Sequence, residues 1–271
     1  NTDKINQTIK FFNKNTVKKL KQSKCKELDP IFILGLPRSG STLIDQIISS
    51  HSMVDGTQEL PNIMNLTREI EVLGKGKEAY PQFLTKLSEM QISELGQKYI
   101  DQTKWSRGQA PYFIDKMPNN FLHIGFIKTI LPNAKIIDTR RGAMDTCFSC
   151  FKQFFAKGQH FTYDLEDLGL FYNDYINIMN HWHDIYPEQI YTVKYANMIS
   201  DTENEIIKLL EYCNLPFENQ CLEFYKSKRP VKTPSAEQVR QPIYKSGLDY
   251  WKNFENDLIS LEKLFNEHIE K

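Results

Sequence analysis

Pro30 to Ser50 reads PIFILGLPRSGSTLIDQIISS, and this stretch decides the fold. Ile31, Phe32, Ile33 and Leu34 form an apolar run of β-forming residues bounded by Pro30 and Gly35, the pattern of a strand buried on both faces of a parallel sheet. Gly35, Pro37 and Gly40 then supply turn chemistry, and Ser39, Ser41 and Thr42 precede Leu43, Ile44, Ile47 and Ile48, whose spacing predicts an amphipathic helix. A strand feeding a helix through such a turn aims several backbone N–H groups and the positive end of the helix dipole at one point, which suits an anion. Gly35, Gly40 and Thr42 fall at P-loop spacing, but Ser41 stands where that pattern needs lysine. The charge that reaches a nucleotide's terminal phosphate is therefore missing, which speaks against ATP hydrolysis. Arg38 supplies a planar, permanent cation inside the loop, suited to phosphate or sulfate oxygens. The plainer alternative is a tight strand-to-helix connection with a surface arginine.

Working outward, three further apolar runs predict strands. Tyr112 to Ile114 ends at Asp115, Lys116, Met117 and Pro118; Ala134 to Thr139 ends at Arg140, Arg141 and Gly142; Ile190 to Tyr195 is the last. Groups at the carboxyl ends of parallel strands face the ligand crevice of an open α/β sheet, so Lys116 and the arginine pair are well placed to meet a ligand. The expected architecture is α/β, a three-layer sandwich with a mostly parallel sheet and a P-loop-like anion loop. Two anion sites on neighbouring strands fit a nucleotide phosphorylated at both ends. Helical spacing marks 62–80, 81–100, 121–131, 165–186, 204–212 and 215–224, and Asn253 to Lys271 predicts a closing amphipathic helix. His51 to Pro61 and Thr233 to Trp251 read as loops, and Gln153 to Asp164 as either a gate or core packing of Phe154 and Phe155.

PRSGSTL with its apolar strand resembles the loop by which sulfotransferases grip the 5′-phosphosulfate of PAPS (3′-phosphoadenosine 5′-phosphosulfate). The likeness extends from about Asp29 to Trp251 and is nearest to the tyrosyl-protein sulfotransferases and the bacterial sulfotransferases that follow tetratricopeptide repeats. It implies an enzyme that moves the sulfuryl group of PAPS to an acceptor hydroxyl, on a protein tyrosine or a saccharide, by in-line displacement with PAP as product. Arg38, Ser39, Gly40, Ser41 and Thr42 are then donor contacts, and Arg38 is also expected to act catalytically beside Lys116, both stabilising the charge that gathers on the bridging and leaving-group oxygens. Lys116, in DKMPNNF, matches the family's lysine at the bridging oxygen, and Glu59 matches its general base. In RGAMDTCFS, Arg141 and Ser149 match the arginine and serine of the 3′-phosphate site. Tyr195 matches the tyrosine at the adenine, while Ser235, Arg240 and Tyr244 lie in the segment that folds over the nucleotide. The chain departs from the tyrosyl-protein pattern at Gln58, Pro61 and Tyr250, where that family has an acidic residue, an arginine and a lysine. A nucleotide-dependent kinase and an inactive nucleotide-binding scaffold are the alternative readings.

Over the whole chain, 34 Lys+Arg balance 34 Asp+Glu, so no global field draws in nucleic acid or an anionic membrane. Neither a bilayer-length apolar run nor a secretory leader is expected, and a cytoplasmic setting fits. Five cysteines in 271 residues make no disulfide framework. Cys147 and Cys150 read as buried side chains of one helix, and His160, His181 and His183 lack metal-ligand partners at useful spacing, so no metal is called for. The lysine-rich start to about residue 28 predicts amphipathic helices whose basic face could meet an acidic partner, ahead of a sulfotransferase domain over 29–271. By the resemblance these helices are the end of a repeat array lying upstream. The oligomeric state is open.

Overall fold

The computed structural model describes residues 2–26, 29–74, 79–155, 158–243 and 248–265. Five parallel strands make the sheet: β1 (Asp29–Gly35), β2 (Val54–Asp55), β3 (Tyr112–Lys116), β4 (Lys135–Arg140) and β5 (Ile190–Lys194), in the order β2-β3-β1-β4-β5. The sheet is thus wholly parallel, and β1 sits at its centre. Alternation along β1 sends Phe32 and Leu34 into one core and Ile31 and Ile33 into the other, which is why the whole run had to be apolar.

Helices cover both faces. On one lie α3 (Ser41–Ser49), whose Leu43, Ile44, Ile47 and Ile48 pack beneath Ile31 and Ile33, together with α9 (Tyr195–Ser200), α10 (Thr202–Tyr212) and α11 (Asn219–Leu222). On the other lie α4 (Asn62–Leu73), α5 (Glu89–Thr103), α6 (Ile124–Ile130), α7 (Ala143–Phe151) and α8 (Leu165–Ile185). The N-terminal α1 (Thr2–Phe11) and α2 (Lys14–Lys19) join this second face, where Ile5, Phe12 and Leu20 enter the same core and the Phe12 ring meets Trp182 edge-on at 5.3 Å.

This layering places the site. β1 hands its chain to a helix on one face, whereas its neighbours β3 and β4 hand theirs to helices on the other. The loop after β1 therefore stands at the topological switch of the sheet, where open α/β folds bind ligands.

Several elements differ from the sequence reading: the helix read over 215–224 shrinks to α11 and a 3-10 turn at Phe224–Lys226, the helix read over 62–80 ends at Leu73, and Tyr195 opens α9 instead of ending β5. His51 to Pro61 contains the short β2, paired Val54 with Tyr112 and Asp55 with Phe113. The helix expected over 81–100 begins only at Glu89: Gln82–Lys86 is a 3-10 turn, and Ser88 caps α5 with a reciprocal Gln91 bond. The closing helix is broken, because Tyr250–Asp257 is 3-10 with non-helical Phe254 (φ −131°) and is followed by the short α12 (Ile259–Glu262). Tyr250 and Phe254 lie on Phe148, with ring centroids 6.2 and 5.0 Å away, and Trp251, Leu258 and Leu261 enter the core, so side-chain burial overrides regular helix geometry. Residues 266–271 lie outside the described residues. In the expected gate Phe155 is partly buried against the core, while Phe154 is exposed.

Candidate functional site

The loop after β1 takes its shape from backbone conformations that few residues tolerate. Gly35, Arg38 and Gly40 have φ of +139°, +67° and +104°. At Gly35 a Cβ would lie 2.6 Å from the Thr139 carbonyl oxygen of β4, so the turn needs glycine. Ser39 Oγ lies 2.8 Å from Thr139 Oγ1, which in turn donates to the Leu34 carbonyl at 3.0 Å. These bonds spend the Ser39 hydroxyl on holding the loop against β4. Ser41 and Thr42 are buried in the first turn of α3, with Thr42 Oγ1 3.2 Å from Thr233 Oγ1.

Arg38 is half-buried, and its guanidinium reaches across the crevice. Nε donates to Ser149 Oγ at 3.0 Å, Nη1 to Ser235 Oγ at 2.5 Å and Nη2 to Gln238 Oε1 at 3.2 Å. It thereby gathers the loop after β1, helix α7 and the segment past Thr233. Expected beside Lys116, Arg38 here keeps company with Ser149 and Arg141. A cavity of about 400 Å³ is lined by Arg38, Arg141, Ser149, Lys152, Tyr250 and Trp251, with Asp145 among its walls. A second, narrower cavity shares Arg38 and Arg141 and adds Gly40, Thr42, Tyr195 and Ser235.

The resemblance selects Arg141 over Arg140 by the family motif's spacing to Ser149, and the geometry separates them. Arg140 Nε pairs with buried Asp138 Oδ2 at 2.6 Å and lines neither cavity, whereas Arg141 lines both, 3.4 Å from Asp145 Oδ1 and 5.3 Å from the Tyr195 ring centroid. Partial burial, and then the Arg141 and Arg38 charges, hold the Lys152 ammonium below the ordinary lysine range. Three cations share one cavity with a single carboxylate, an arrangement that favours a multiply charged anion. At Tyr250, where the resemblance leads one to expect lysine, Lys152 Nζ lies 4.0 Å from the ring centroid, so an ammonium reaches the place from α7.

On the other side of β1, β3 ends at Lys116, level with Ile33. Its side chain is 5% exposed and Nζ pairs with Glu59 Oε1 at 2.5 Å, while the Glu59 side chain is 46% exposed. One partner is thus sunk in the sheet edge and the other faces solvent, which suits a charge aimed at a bound ligand and a base open to an incoming one. Next to Lys116, burial pushes the Asp115 carboxyl up to about 7, against the Tyr99 hydroxyl that donates to it at 2.7 Å and the nearby Lys116 charge.

The structure therefore brings together Arg38, Gly40, Thr42, Arg141, Ser149, Tyr195 and Ser235 around the paired cavities, and pairs Glu59 with Lys116 at the end of β3, the strand on the other side of β1. Arg240 goes elsewhere: its guanidinium donates to the Ser227 and Arg229 carbonyls, the latter at 2.6 Å, and is absent from both cavity linings. Tyr244 lies outside the described residues. Sequence reasoning missed Lys152 and Gln238, whose only signal was position: one at the end of α7, the other in a stretch poor in apolar residues. Cys147 and Cys150 are buried on α7, and Cys150 Sγ donates to the Pro37 carbonyl at 3.2 Å. His181 Nε2 lies 3.0 Å from the Phe12 carbonyl oxygen, and His183 Nε2 lies 3.2 Å from Thr192 Oγ1. Among the described residues no group of three His, Cys, Asp or Glu is placed to hold a metal ion, and no helix is long and apolar enough to cross a membrane.

A model of the Sulfotransferase family matches residues 30–219. The chain is 38% identical over 275 residues to an "Uncharacterized protein" of Aquifex aeolicus (strain VF5), covering 98% of this chain but only 36% of that one, so it spans about a third of that relative's length. It is 24% identical over 234 residues to the "Putative protein-tyrosine sulfotransferase" of Caenorhabditis briggsae, covering 82% and 80% of the two chains. Among solved structures, the sulfotransferase domain of the Synechococcus PCC 7002 olefin synthase superposes with a TM-score of 0.62 at 16% identity, over 90% of this chain and 97% of that one.

Proposed function

The chain belongs to the sulfotransferase family, and from that premise we propose that it transfers the sulfuryl group of PAPS to the hydroxyl of a peptide or saccharide acceptor. One observation carries this reading: β1 is flanked by β4, whose end presents Arg141, and by β3, whose end presents Lys116 paired with Glu59. Neighbouring strands lie about 4.8 Å apart, so a phosphate-sized anion over the β1 loop has a cationic cavity on one side and an acid–base pair on the other. The cavities suit a nucleotide phosphorylated at both ends, with Arg141 and Ser149 at the 3′-phosphate, Tyr195 at the base, and Arg38 with the loop N–H groups at the 5′-phosphate.

PAPS supplies an activated sulfuryl group. Glu59 takes the proton of the acceptor hydroxyl as its oxygen forms the new O–S bond, and later releases that proton to solvent. Lys116 faces the bridging oxygen, where the electron pair of the breaking S–O bond collects on the departing phosphate. Because Lys116 is buried, its charge is less screened than a surface lysine's would be, and holding it in place beforehand is the main electrostatic contribution. Glu59 adds general-base assistance of about 10²–10⁴-fold. Positioning supplies much of the rest, as in phosphoryl transfer.

The similarity to a protein named for protein-tyrosine sulfation favours tyrosine peptides among the acceptors. Incubation with ³⁵S-labelled PAPS and a panel of tyrosine peptides and oligosaccharides tests the reading. Label on an acceptor hydroxyl with stoichiometric PAP release is expected. Label arriving instead from γ-³²P-ATP with magnesium would identify a kinase, and PAP binding without transfer to any acceptor would identify a scaffold.

A further inference from the structure

Arg229 is not used by the chemistry above, yet it is held in place from several sides. Its Nη2 forms an ion pair with Asp45 Oδ2 of α3, and its Nη1 donates to the Thr57 carbonyl at 2.7 Å. With its amide oxygen turned toward the arginine, buried Gln46 accepts from Nε at 3.3 Å and Nη2 at 2.6 Å. The guanidinium lies against Gly56, where a Cβ would come within 2.5 Å of Nη1.

Thr57 is the residue this clamp holds, and it in turn ties its loop to β3: Thr57 Oγ1 donates to the Ile114 carbonyl at 2.6 Å. Glu59 lies two residues beyond Thr57, and Lys116 two residues beyond Ile114. The 2.5 Å contact between Glu59 and Lys116 therefore hangs on the junction that Arg229 fastens.

The same stretch of chain reaches the nucleotide cavities. Arg240 donates to the Ser227 and Arg229 carbonyls, Thr233 Oγ1 meets Thr42 Oγ1, and Ser235 and Gln238 accept from Arg38. One segment, 227–240, thus touches the anion loop at one end and the Glu59 loop at the other. Among the described residues Asp45 Oδ1 is buried without a hydrogen-bond partner, and the Asp45 carboxylate lies within electrostatic reach of both Arg229 and Lys116, so it links the clamp to the buried ammonium as well.

We propose that Arg229 is a positioning residue that couples occupation of the nucleotide cavities to the placement of Glu59 against Lys116. The inference rests on the donor assignment above. Ligand that fixes Arg38, Thr42 and their partners Ser235 and Thr233 steadies segment 227–240, and through Arg229 steadies the loop at Thr57.

Amide hydrogen exchange over residues 56–60, with and without PAP, tests this without needing the acceptor. In the wild type, saturating PAP is expected to slow exchange there about tenfold. Arg229→Gln should reduce that slowing to less than twofold while leaving the PAP Kd within threefold, a split that a merely structural role would not produce. Asp45→Asn, which keeps side-chain shape but removes the charge, should blunt the response in the same direction and serves if Arg229→Gln fails to fold. Full PAP-dependent protection in either folded variant overturns the coupling alone. Absence of PAP binding by the wild type overturns the donor assignment, and the coupling with it.

Discussion

The two sides of the crevice are built differently. At the ends of β1 and β4 the functional groups belong to the loops that follow those strands: Arg38 comes three residues after Gly35, and Arg141 directly after the last residue of β4. On the β2–β3 side, Glu59 and Lys116 are 57 residues apart, and Glu59's loop is held by Arg229 from 172 residues beyond Thr57. The proposed anion contacts Arg38 and Arg141 thus sit in short local motifs, whereas the proposed acid–base pair is assembled by tertiary contacts. Substitutions on the first side should cost affinity, and substitutions on the second should cost turnover.

Glu59→Gln gives the largest effect expected. Turnover should fall about 10²–10⁴-fold with loss of the proposed base, while calorimetry finds PAP affinity within a few-fold of wild type. A parallel fall in PAP affinity would break the division between the two sides. Arg141→Ala should do the reverse: losing a charge-assisted contact worth about 1.5–3 kcal/mol weakens PAP roughly 10–100-fold. Arg38→Ala sharpens the boundary, because the structure sets this guanidinium among Ser149, Ser235 and Gln238. A rise in Kd of about tenfold is expected, and a larger loss in kcat would move Arg38 to the Lys116 side.

The smallest effect concerns stability. Burial raises the Asp115 carboxyl from its ordinary 3.8 to about 7. Between those values the folded chain keeps a proton on Asp115 that the unfolded chain gives up, so the stability this group contributes falls as pH rises from about 4 to about 7 and levels off above that. Thermal unfolding across this range should show a Tm slope against pH that is more negative in the wild type than in Asp115→Asn, a difference that isolates this carboxyl from buried His123, whose lowered pKa of about 4 acts in the opposite sense. Equal slopes would mean that Asp115 ionises freely beside Lys116.

The same contrast governs what could be read from the chain before folding. The runs at Ile31, Tyr112, Ala134 and Ile190 each announced a buried strand, and glycines with flanking hydroxyls announced the anion loop. Arg141 was separable from Arg140 only through the resemblance, by the family motif's spacing to Ser149. The two-residue β2 was not legible, because its pairing with Tyr112 and Phe113 is made by a partner far along the chain. Glu59 carried no signal of its own in a polar loop and was singled out only by resemblance. Arg229, Lys152 and Gln238 stayed hidden for the same reason: isolated polar residues have no periodicity, and their roles depend on what folds against them. In Tyr250–Asp257 apolar spacing suggested a regular helix, but contacts with Phe148 and the core took precedence over it.

Calorimetric comparison of PAP with adenosine 5′-monophosphate tests the central claim most directly, since the two differ only in the 3′-phosphate assigned to Arg141 and Ser149. PAP is expected to bind at least about tenfold more tightly, as one added charge-assisted contact would provide, and Arg141→Ala should erase that advantage. Equal affinity of the wild type for both nucleotides would contradict the account.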